Sequence, residues 1–573
     1  MRRRLSILIC AASLLMWVTG CSAPKEYTVR IIHTTDVHGE LFPTDFISGE
    51  DTGGSAARLA TFLHEARQKN PDLLLLDGGD LLQGTPLIYY DNSHYKEGPH
   101  FATEVYNRLG YDAMCFGNHD IEAGHEVYDA FEARADFPIL CCNITRIETG
   151  KSYYQPYKIF KRNGLKIAVI GVITPAVPEW IAEPLYAGMR FEEPISAVAH
   201  TLQEVQAKAQ PDLVVLLAHT GFQNRNADIQ ENASKAIAEQ INGIDIILMG
   251  HDHESAITQV KNPQGDSVLL INPANRLQRV SDVTITIRKK GKQVIERTIT
   301  PQLTELNAYE PDSAFMKHFE AAIHHFEKEM QQPVGAIDAP LNGGDALWGS
   351  SAYMSFIHEV QLEATGAKVS FAAPLSLSLK LPSGTLTYAD MFALYPYENS
   401  LYAMELTGQE IKDYLEYSYG LWVNQMHTAS DHLLAFKADY KQGERFPTQN
   451  PTFNFSAAGG IRYTVDVTKP AGSRVVIQSL SDGTAFSLSH TYLVAVNSYR
   501  GNGGGGHLTR GAGIPKEELP GRIKATTKDI RSAIMEKLSK QPVTHVADAA
   551  NWHFIPEEIT RGAIERDKKI LNQ

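Results

Sequence analysis

Cysteine is scarce in this 573-residue chain, which has five. Cys10 and Cys21 lie in the N-terminal segment, so Cys115, Cys141 and Cys142 are left for the fold, too few for a disulfide framework. All three lie in or beside apolar runs and read as buried small hydrophobes. Positive charge is also in deficit. A net charge of −13 argues against a binder of nucleic-acid backbones, which would show a basic face. It does not exclude small phosphorylated substrates, because bound metals can invert the local field. Beyond the first twenty residues no apolar stretch is long enough to cross a bilayer. Internal repeats are absent. The one low-complexity tract is Gly501-Asn502-Gly503-Gly504-Gly505-Gly506.

The chain is too long for one ordinary core, so two domains are expected. The first residues stand apart from the fold. Met1-Arg2-Arg3-Arg4 is a basic start and residues 5–18 are apolar, as in a secretory signal too short to span a membrane as a helix. The segment ends in Val18-Thr19-Gly20-Cys21, which resembles the bacterial lipobox. That resemblance implies cleavage after residue 20, lipid on Cys21, a short anchor over 21–26, and a place in the bacterial cell envelope.

From residue 27 the sequence alternates apolar strand-like runs with helical spacing, an α/β pattern. Strands are expected at 27–33, 73–76, 113–116, 137–142, 165–173, 213–218, 244–249, 268–271 and 280–287. Helices are expected at 55–69, 101–109, 127–134, 195–209 and 229–241. Five of the strands end in metal-competent side chains: Asp36 and His38, Asp80, Asn118 and His119, His219, and His251 and His253. Asp36 and His38 are two apart, so extended backbone turns them to one side. A carboxylate and an imidazole there suit a divalent ion. In open α/β sheets ligands collect beyond the carboxyl ends of strands. Asn118 offers an amide oxygen to a hard cation, and His119 is placed to act on a substrate.

These motifs (Asp-x-His, Gly-Asp, Gly-Asn-His-Asp, His, Gly-His-x-His) resemble the calcineurin-like metallophosphoesterase family over residues 29 to 255. The resemblance implies a β-sandwich flanked by helices with two divalent ions (Mn, Zn, Fe or Mg) at the strand ends. By motif, Asp36, His38, Asp80 and His253 hold one ion. Asp80, Asn118, His219 and His251 hold the other, with Asp80 bridging. Two ions neutralise the anionic oxygens of a phosphate ester and acidify a water. His119 then stabilises the transferring phosphoryl group or protonates the leaving oxygen. Glu122 stands where the 5'-nucleotidase branch has an Asp that partners this histidine.

The first domain is read as 27–300. An amphipathic helix at 311–332 lies within a connector over 301–335. A second α/β domain spans 336–545, with a tail at 546–573. Expected helices are 351–365 and 407–419, and expected strands are 401–406, 463–467 and 492–496. Tyr499 precedes the glycine run, where a ligand can press against backbone, and an aromatic face suits a base. Phe453-Asn454-Phe455 precedes Gly459-Gly460.

The two-domain whole resembles the bacterial 5'-nucleotidase family, in which the second domain grips a nucleoside between two aromatics. Tyr499 matches one, and Phe453 is favoured over Phe455 for the other. Phe371-Ala372-Ala373-Pro374-Leu375 replaces the Gly-Gly-Gly-Ile-Arg of the 5'-nucleotidase branch. Tyr395-Pro396-Tyr397-Glu398-Asn399 and Asn497-Ser498-Tyr499-Arg500 look like the 2',3'-cyclic-nucleotide 2'-phosphodiesterase/3'-nucleotidase branch. The implied activity is metal-dependent hydrolysis of 2',3'-cyclic nucleotides and 3'-nucleotides. The alternatives are a 5'-nucleotidase or nucleotide-sugar hydrolase, and a non-catalytic surface lipoprotein that captures nucleotides or metal. No nucleic-acid polymer and no protein partner is implied.

Overall fold

The computed structural model describes residues 23–94, 100–224, 230–440 and 447–571. Residues 1–22, with the expected signal segment and Cys21, lie outside them. Two sheets face each other in the first domain. One runs, edge to edge, Gln293–Glu305, Arg279–Lys290, Lys25–Thr34, Leu74–Asp77, Ala113–Met114. The other runs Ala256–Lys261, Ser267–Asn272, Ile246–Met249, Leu213–His219, Leu165–Ile173, Tyr157–Arg162. Between them lies a core that takes alternate residues from both sheets: Val29, Ile31, Leu74 and Leu76 against Ile167, Val169, Val215 and Leu248. The opposite faces are also apolar, so both need helices. Ala56–Lys69, Phe101–Leu109 and His125–Arg134 cover one sheet, and Pro194–Ala209 and Ser234–Gln240 the other. This is the expected α/β sandwich flanked by helices.

The central strands of each sheet are parallel: Thr34 pairs with Asp77, Asp77 with Met114, Ile173 with His219, and Ala218 with Met249. Their carboxyl ends therefore emerge on one edge of the sandwich. That edge carries every metal-competent residue named above.

One expected strand is not a strand. Residues 137–142 form only isolated bridges at Ile139 and Leu140. Pro138 has no N–H to give. The next amides are divided among partners: Leu140 N–H donates to Met114, Cys141 to Gln155, and Cys142 to Gly171 of the other sheet. The segment crosses between sheets instead of extending one. The helix expected at 229–241 is shorter, Ser234–Gln240.

The helix Ser313–Met330 starts at Asp312, whose carboxylate accepts from the Phe315 N–H. It buries Phe315, Phe319, Ile323, Phe326 and Met330 against the first domain, in a cluster that also takes Phe392 of the second. The second domain has a mixed sheet, in order Ala457–Gly459, Val369–Ala372, Thr491–Asn497, Ser400–Thr407, Ile523–Asp529. Helices Ala352–Thr365, Gly408–Trp422 and Ile530–Ser539 pack on it.

The tail set apart at 546–573 is corrected by the structure. Trp552–Ile555 pairs in parallel with Ile461–Asp466, and helix Glu557–Ile570 follows. Trp552, Phe554 and Ala563 join the second domain's core. Buried Asp567 accepts from the amides of Leu433 and Leu434. Only two apolar residues alternate in that strand, too brief a pattern to be read as one.

Candidate active site

Each strand-end residue is held by the loop of another. The Asp36 amide donates to Gly79 O and the His38 amide to Asp80 O, both at 2.8 Å. The Asp36 carboxylate accepts from the His251 amide (3.0 Å) and from Thr35 Oγ1 (2.7 Å). Asp36, His38, Asp80, His251 and His253 all have left-handed backbone, with φ of 51°, 49°, 60°, 79° and 57°. Such conformations cost on the order of 1–3 kcal/mol each and persist only where the surroundings dictate them. Packing is equally tight. A Cβ on Gly117 would fall 2.1 Å from Asp80 Oδ1, and one on Gly250 would fall 2.1 Å from Thr35 Oγ1. Glycine is required at both.

The side chains converge in two groups. Ligand-type atoms of Asp36, His38, Asp80 and His253 lie within 4.8 Å of one another, as do those of Asp80, His219 and His251. Asp80 belongs to both. Asn118 joins the second group, its Oδ1 3.3 Å from His219 Nε2. The rings of His38 and His219 are oriented from behind. His38 Nδ1 donates to the Gln83 carbonyl (2.9 Å) and His219 Nδ1 to the Gly78 carbonyl (2.8 Å). This turns each Nε2 inward. His219 Nε2 meets Asp80 Oδ2 at 3.2 Å, and His38 Nε2 meets His253 Nε2 at 3.0 Å.

A neutral His219, with its proton on Nδ1, would set the Nε2 lone pair against the Asp80 carboxylate oxygen, an arrangement that a cation relieves. Burial opposes charge on His219, but Asp80 outweighs it and draws the ring up to about 10. Burial wins at His38, which falls to about 3. Burial pushes Asp80 upward, yet His219 and His119 hold it well below the carboxylate range. Carboxylate, imidazole and amide oxygen without thiolate is a donor set that fits Mn, Zn, Fe or Mg.

His119 stands apart from both groups. The short helix Asn118–Glu122 places residues three apart on one face. Glu122 Oε2 thereby reaches His119 Nδ1 at 2.6 Å. Burial works against charge on this ring too, but Asp80 and Glu122 raise it to about 9. A carboxylate only accepts, so Nδ1 donates to Glu122 and Nε2 is left for the cleft.

Asp120 was not singled out by sequence reasoning. Its Oδ2 accepts from the amides of Asp80 (2.7 Å) and Gly117 (2.8 Å), and its Oδ1 from those of Leu81 and Leu82 (both 2.8 Å). One buried carboxylate thus clamps the Asp80 loop to the Gly117 turn. The only sequence signal was its place as the fourth residue of Gly117-Asn118-His119-Asp120.

In the second domain the Tyr499 loop and the Phe453 turn are tied together by Arg500. Its guanidinium donates to Gly504 O (2.9 Å), Phe453 O (2.5 Å) and Asn454 Oδ1 (3.0 Å) and lies 5.2 Å from the Tyr499 ring centre. Phe453 is 39% exposed, whereas Phe455 is fully buried and stacked on Trp422. Phe371 is a core residue stacked on Tyr414. Tyr395 hydroxyl accepts from Asn497 Nδ2 (3.2 Å) and so supports the strand end that leads to Tyr499. The same loop reaches the first domain. Asn502 Nδ2 donates to Trp180 O (3.1 Å), and Lys516 pairs with Glu179. A second seam is made by Arg531, whose guanidinium stacks on Tyr89 of the first domain and on Phe392.

Comparison with known proteins adds to this geometry. Residues 29–255 match the family model for calcineurin-like phosphoesterases, and residues 333–510 that for the C-terminal domain of 5'-nucleotidases. The trifunctional nucleotide phosphoesterase protein of Bacillus subtilis is 26% identical over 93% of this chain, and the match spans 39% of that longer protein. The 2',3'-cyclic-nucleotide 2'-phosphodiesterase/3'-nucleotidase of Haemophilus influenzae is 26% identical, with 97% of this chain and 92% of that protein covered. Among solved structures, a putative 5'-nucleotidase from Staphylococcus aureus superposes with a TM-score of 0.76 at 22% identity, covering 92% of this chain and 99% of that one. At that identity the likeness concerns the fold.

Proposed function

The chain belongs to the calcineurin-like phosphoesterases that carry a 5'-nucleotidase C-terminal domain, and on that premise we propose that it hydrolyses nucleotide phosphoesters, with 2',3'-cyclic nucleotides and 3'-nucleotides as substrates. One placement carries the reading. Asp80 is shared by two carboxylate–imidazole groups. The Tyr499 loop meets the first domain at Trp180, whose ring lies on His251. On this reading the phosphate goes to the first feature and the base to the second.

Asp36, His38, Asp80 and His253 would hold one divalent ion, and Asp80, Asn118, His219 and His251 the other. Such a pair of ions neutralises phosphoryl oxygens and acidifies water. The protein's own groups do the rest. Asp120 keeps the Asp80 loop in register. Glu122 accepts the Nδ1–H of His119, and Asp80 and Glu122 together favour the protonated ring, so Nε2 also carries a proton for the phosphoryl group or the leaving oxygen. Asn118 lies beside the same path. Phe453 and Tyr499 stack the base, which orients the ester and admits either a cyclic or a 3'-phosphate.

A second reading, hydrolysis of 5'-nucleotides, is favoured by the match of residues 333–510 to the 5'-nucleotidase C-terminal domain. One assay separates the two. Protein lacking residues 1–21 is loaded with Mn and given 2',3'-cyclic AMP, 3'-AMP, 5'-AMP and UDP-glucose. The proposal expects the first two to be turned over fastest, and faster 5'-AMP hydrolysis would overturn it.

The proposal extends to the N-terminus. The run Val18-Thr19-Gly20-Cys21 supports lipid on Cys21 and a place in the bacterial cell envelope. Labelled fatty acid should enter the wild type and not Cys21→Ser. Its absence from both would end that part of the reading.

A further inference from the structure

His251 is the one histidine of the second group whose ring is braced by a side chain outside both groups. Its Nε2 lies 3.0 Å from Glu231 Oε1. A carboxylate only accepts, so Nε2 carries the proton and Nδ1 is left as the nitrogen with a lone pair to offer. The ring is partly shielded, packed by Trp180 (centres 5.7 Å apart, planes at 27°) and by the edge of His219 (5.3 Å).

Glu231 is not a loose surface charge. Its carbonyl accepts from Thr220 Oγ1 (2.9 Å), whose hydroxyl also receives the Ala233 amide (2.8 Å). Asn232 Oδ1 receives the Gly221 amide (2.8 Å). Glu231 and the two residues after it are thus stitched to Thr220 and Gly221, the chain that follows His219.

We propose that Glu231 is a positioning residue for His251, the outer carboxylate of a carboxylate–histidine–metal relay at the second ion. This rests on the two-ion reading given above. A carboxylate on the distal nitrogen fixes which nitrogen ligates, fixes the plane of the ring, and raises its basicity. Because the Glu231 segment is anchored to Thr220, it also ties the orientation of His251 to the strand end that supplies His219.

The test is a Mn titration of the full metal-free protein, followed by calorimetry, for wild type, Glu231→Ala and Glu231→Gln. Wild type should take up two equivalents. Glu231→Ala should bind one of them about 10- to 100-fold more weakly, the usual cost of losing such a partner, and leave the other unchanged. Glu231→Gln keeps a carbonyl that accepts from Nε2–H and should recover most of the loss. Equal affinities in Glu231→Ala and wild type would overturn the proposal. So would a Glu231→Gln as weak as Glu231→Ala, which would make Glu231 itself a ligand. Fewer than two equivalents in wild type would overturn the two-ion reading and this inference with it. Melting of the three metal-free proteins at one temperature shows that the differences are not unfolding.

Discussion

Replacing Asp120 by Asn exchanges one oxygen for an NH₂ group and should be among the most damaging conservative substitutions in the first domain. The carboxylate receives four backbone N–H groups, two on each oxygen. An amide can offer its one oxygen to the Leu81 and Leu82 pair. Its NH₂ then confronts the amides of Asp80 and Gly117, donor against donor. The site is fully buried, so water cannot take their place. Two buried donors without acceptors cost about 1–3 kcal/mol each, or roughly 2–6 kcal/mol together. That is a large share of the 5–15 kcal/mol typical of a whole domain.

The loss should fall on the Asp80 loop, because the Asp80 amide is one of the two orphaned donors. The assay is urea unfolding of the chelated protein, paired with Mn uptake. Asp120→Asn should lower the midpoint even without metal, and should lose Mn as a consequence. Asp80→Asn should lose Mn directly, through the missing ligand itself. If chelated Asp120→Asn unfolds within about 0.5 kcal/mol of wild type, the order of surface-level effects, the clamp is not what holds the loop.

Four further outcomes are expected. His119→Ala should keep both Mn equivalents yet lose roughly 10²–10⁴ in rate, with a smaller loss on nitrophenyl esters, whose leaving group needs no proton; an equal loss on both would move its role to phosphoryl positioning. Tyr499→Ala and Phe453→Ala should each cost about 1–3 kcal/mol of stacking in kcat/KM for 2',3'-cyclic AMP and leave a nitrophenyl phosphodiester untouched. Phe455→Ala should instead destabilise the second domain by about 3–5 kcal/mol, seen by unfolding; loss of nucleotide turnover at full stability would contradict this assignment. His358 is buried with its Nε2 unpartnered and held neutral, its pKa lowered by burial to about 3. The unfolded chain takes up a proton there near 6.5, so stability is unaffected above that pH and falls as pH drops from 6.5 toward 3. By linkage His358's share of the fall between pH 6.5 and 5 is roughly 2 kcal/mol, and His358→Gln should reduce the difference between urea midpoints at the two pH values by that share.

The strand ends were legible because two signals coincide in them. A run such as Leu74 to Leu76 is apolar throughout, and it stops abruptly at Asp77-Gly78-Gly79-Asp80. Parallel pairing then carries all such stops to one edge, so the order of motifs was enough to assemble Asp36, His38, Asp80, Asn118, His219, His251 and His253. Asp120 was not legible, since its partners are backbone amides and leave no spacing to read. Glu231 lies twenty residues before His251, in the part of the expected helix 229–241 that precedes the observed Ser234–Gln240, and nothing local marks its contact. The segment 137–142 looked like a strand by composition, but its amides are spent on three different partners. Between Phe453 and Phe455 the sequence offered no physical distinction. The difference is made by Trp422, which stacks on Phe455 and takes its ring into the core. The closing strand Trp552–Ile555 has too few residues to declare a period, and its place follows from pairing with Ile461–Asp466.

The account stands or falls on the shared carboxylate, and the most direct measurement is the rate of 2',3'-cyclic AMP hydrolysis as chelated protein is titrated with Mn. The account predicts no turnover without metal, little with the first equivalent, and a rise that levels off at two. Full activity in the chelated protein, a plateau at one equivalent, or no hydrolysis of any nucleotide at two would contradict it.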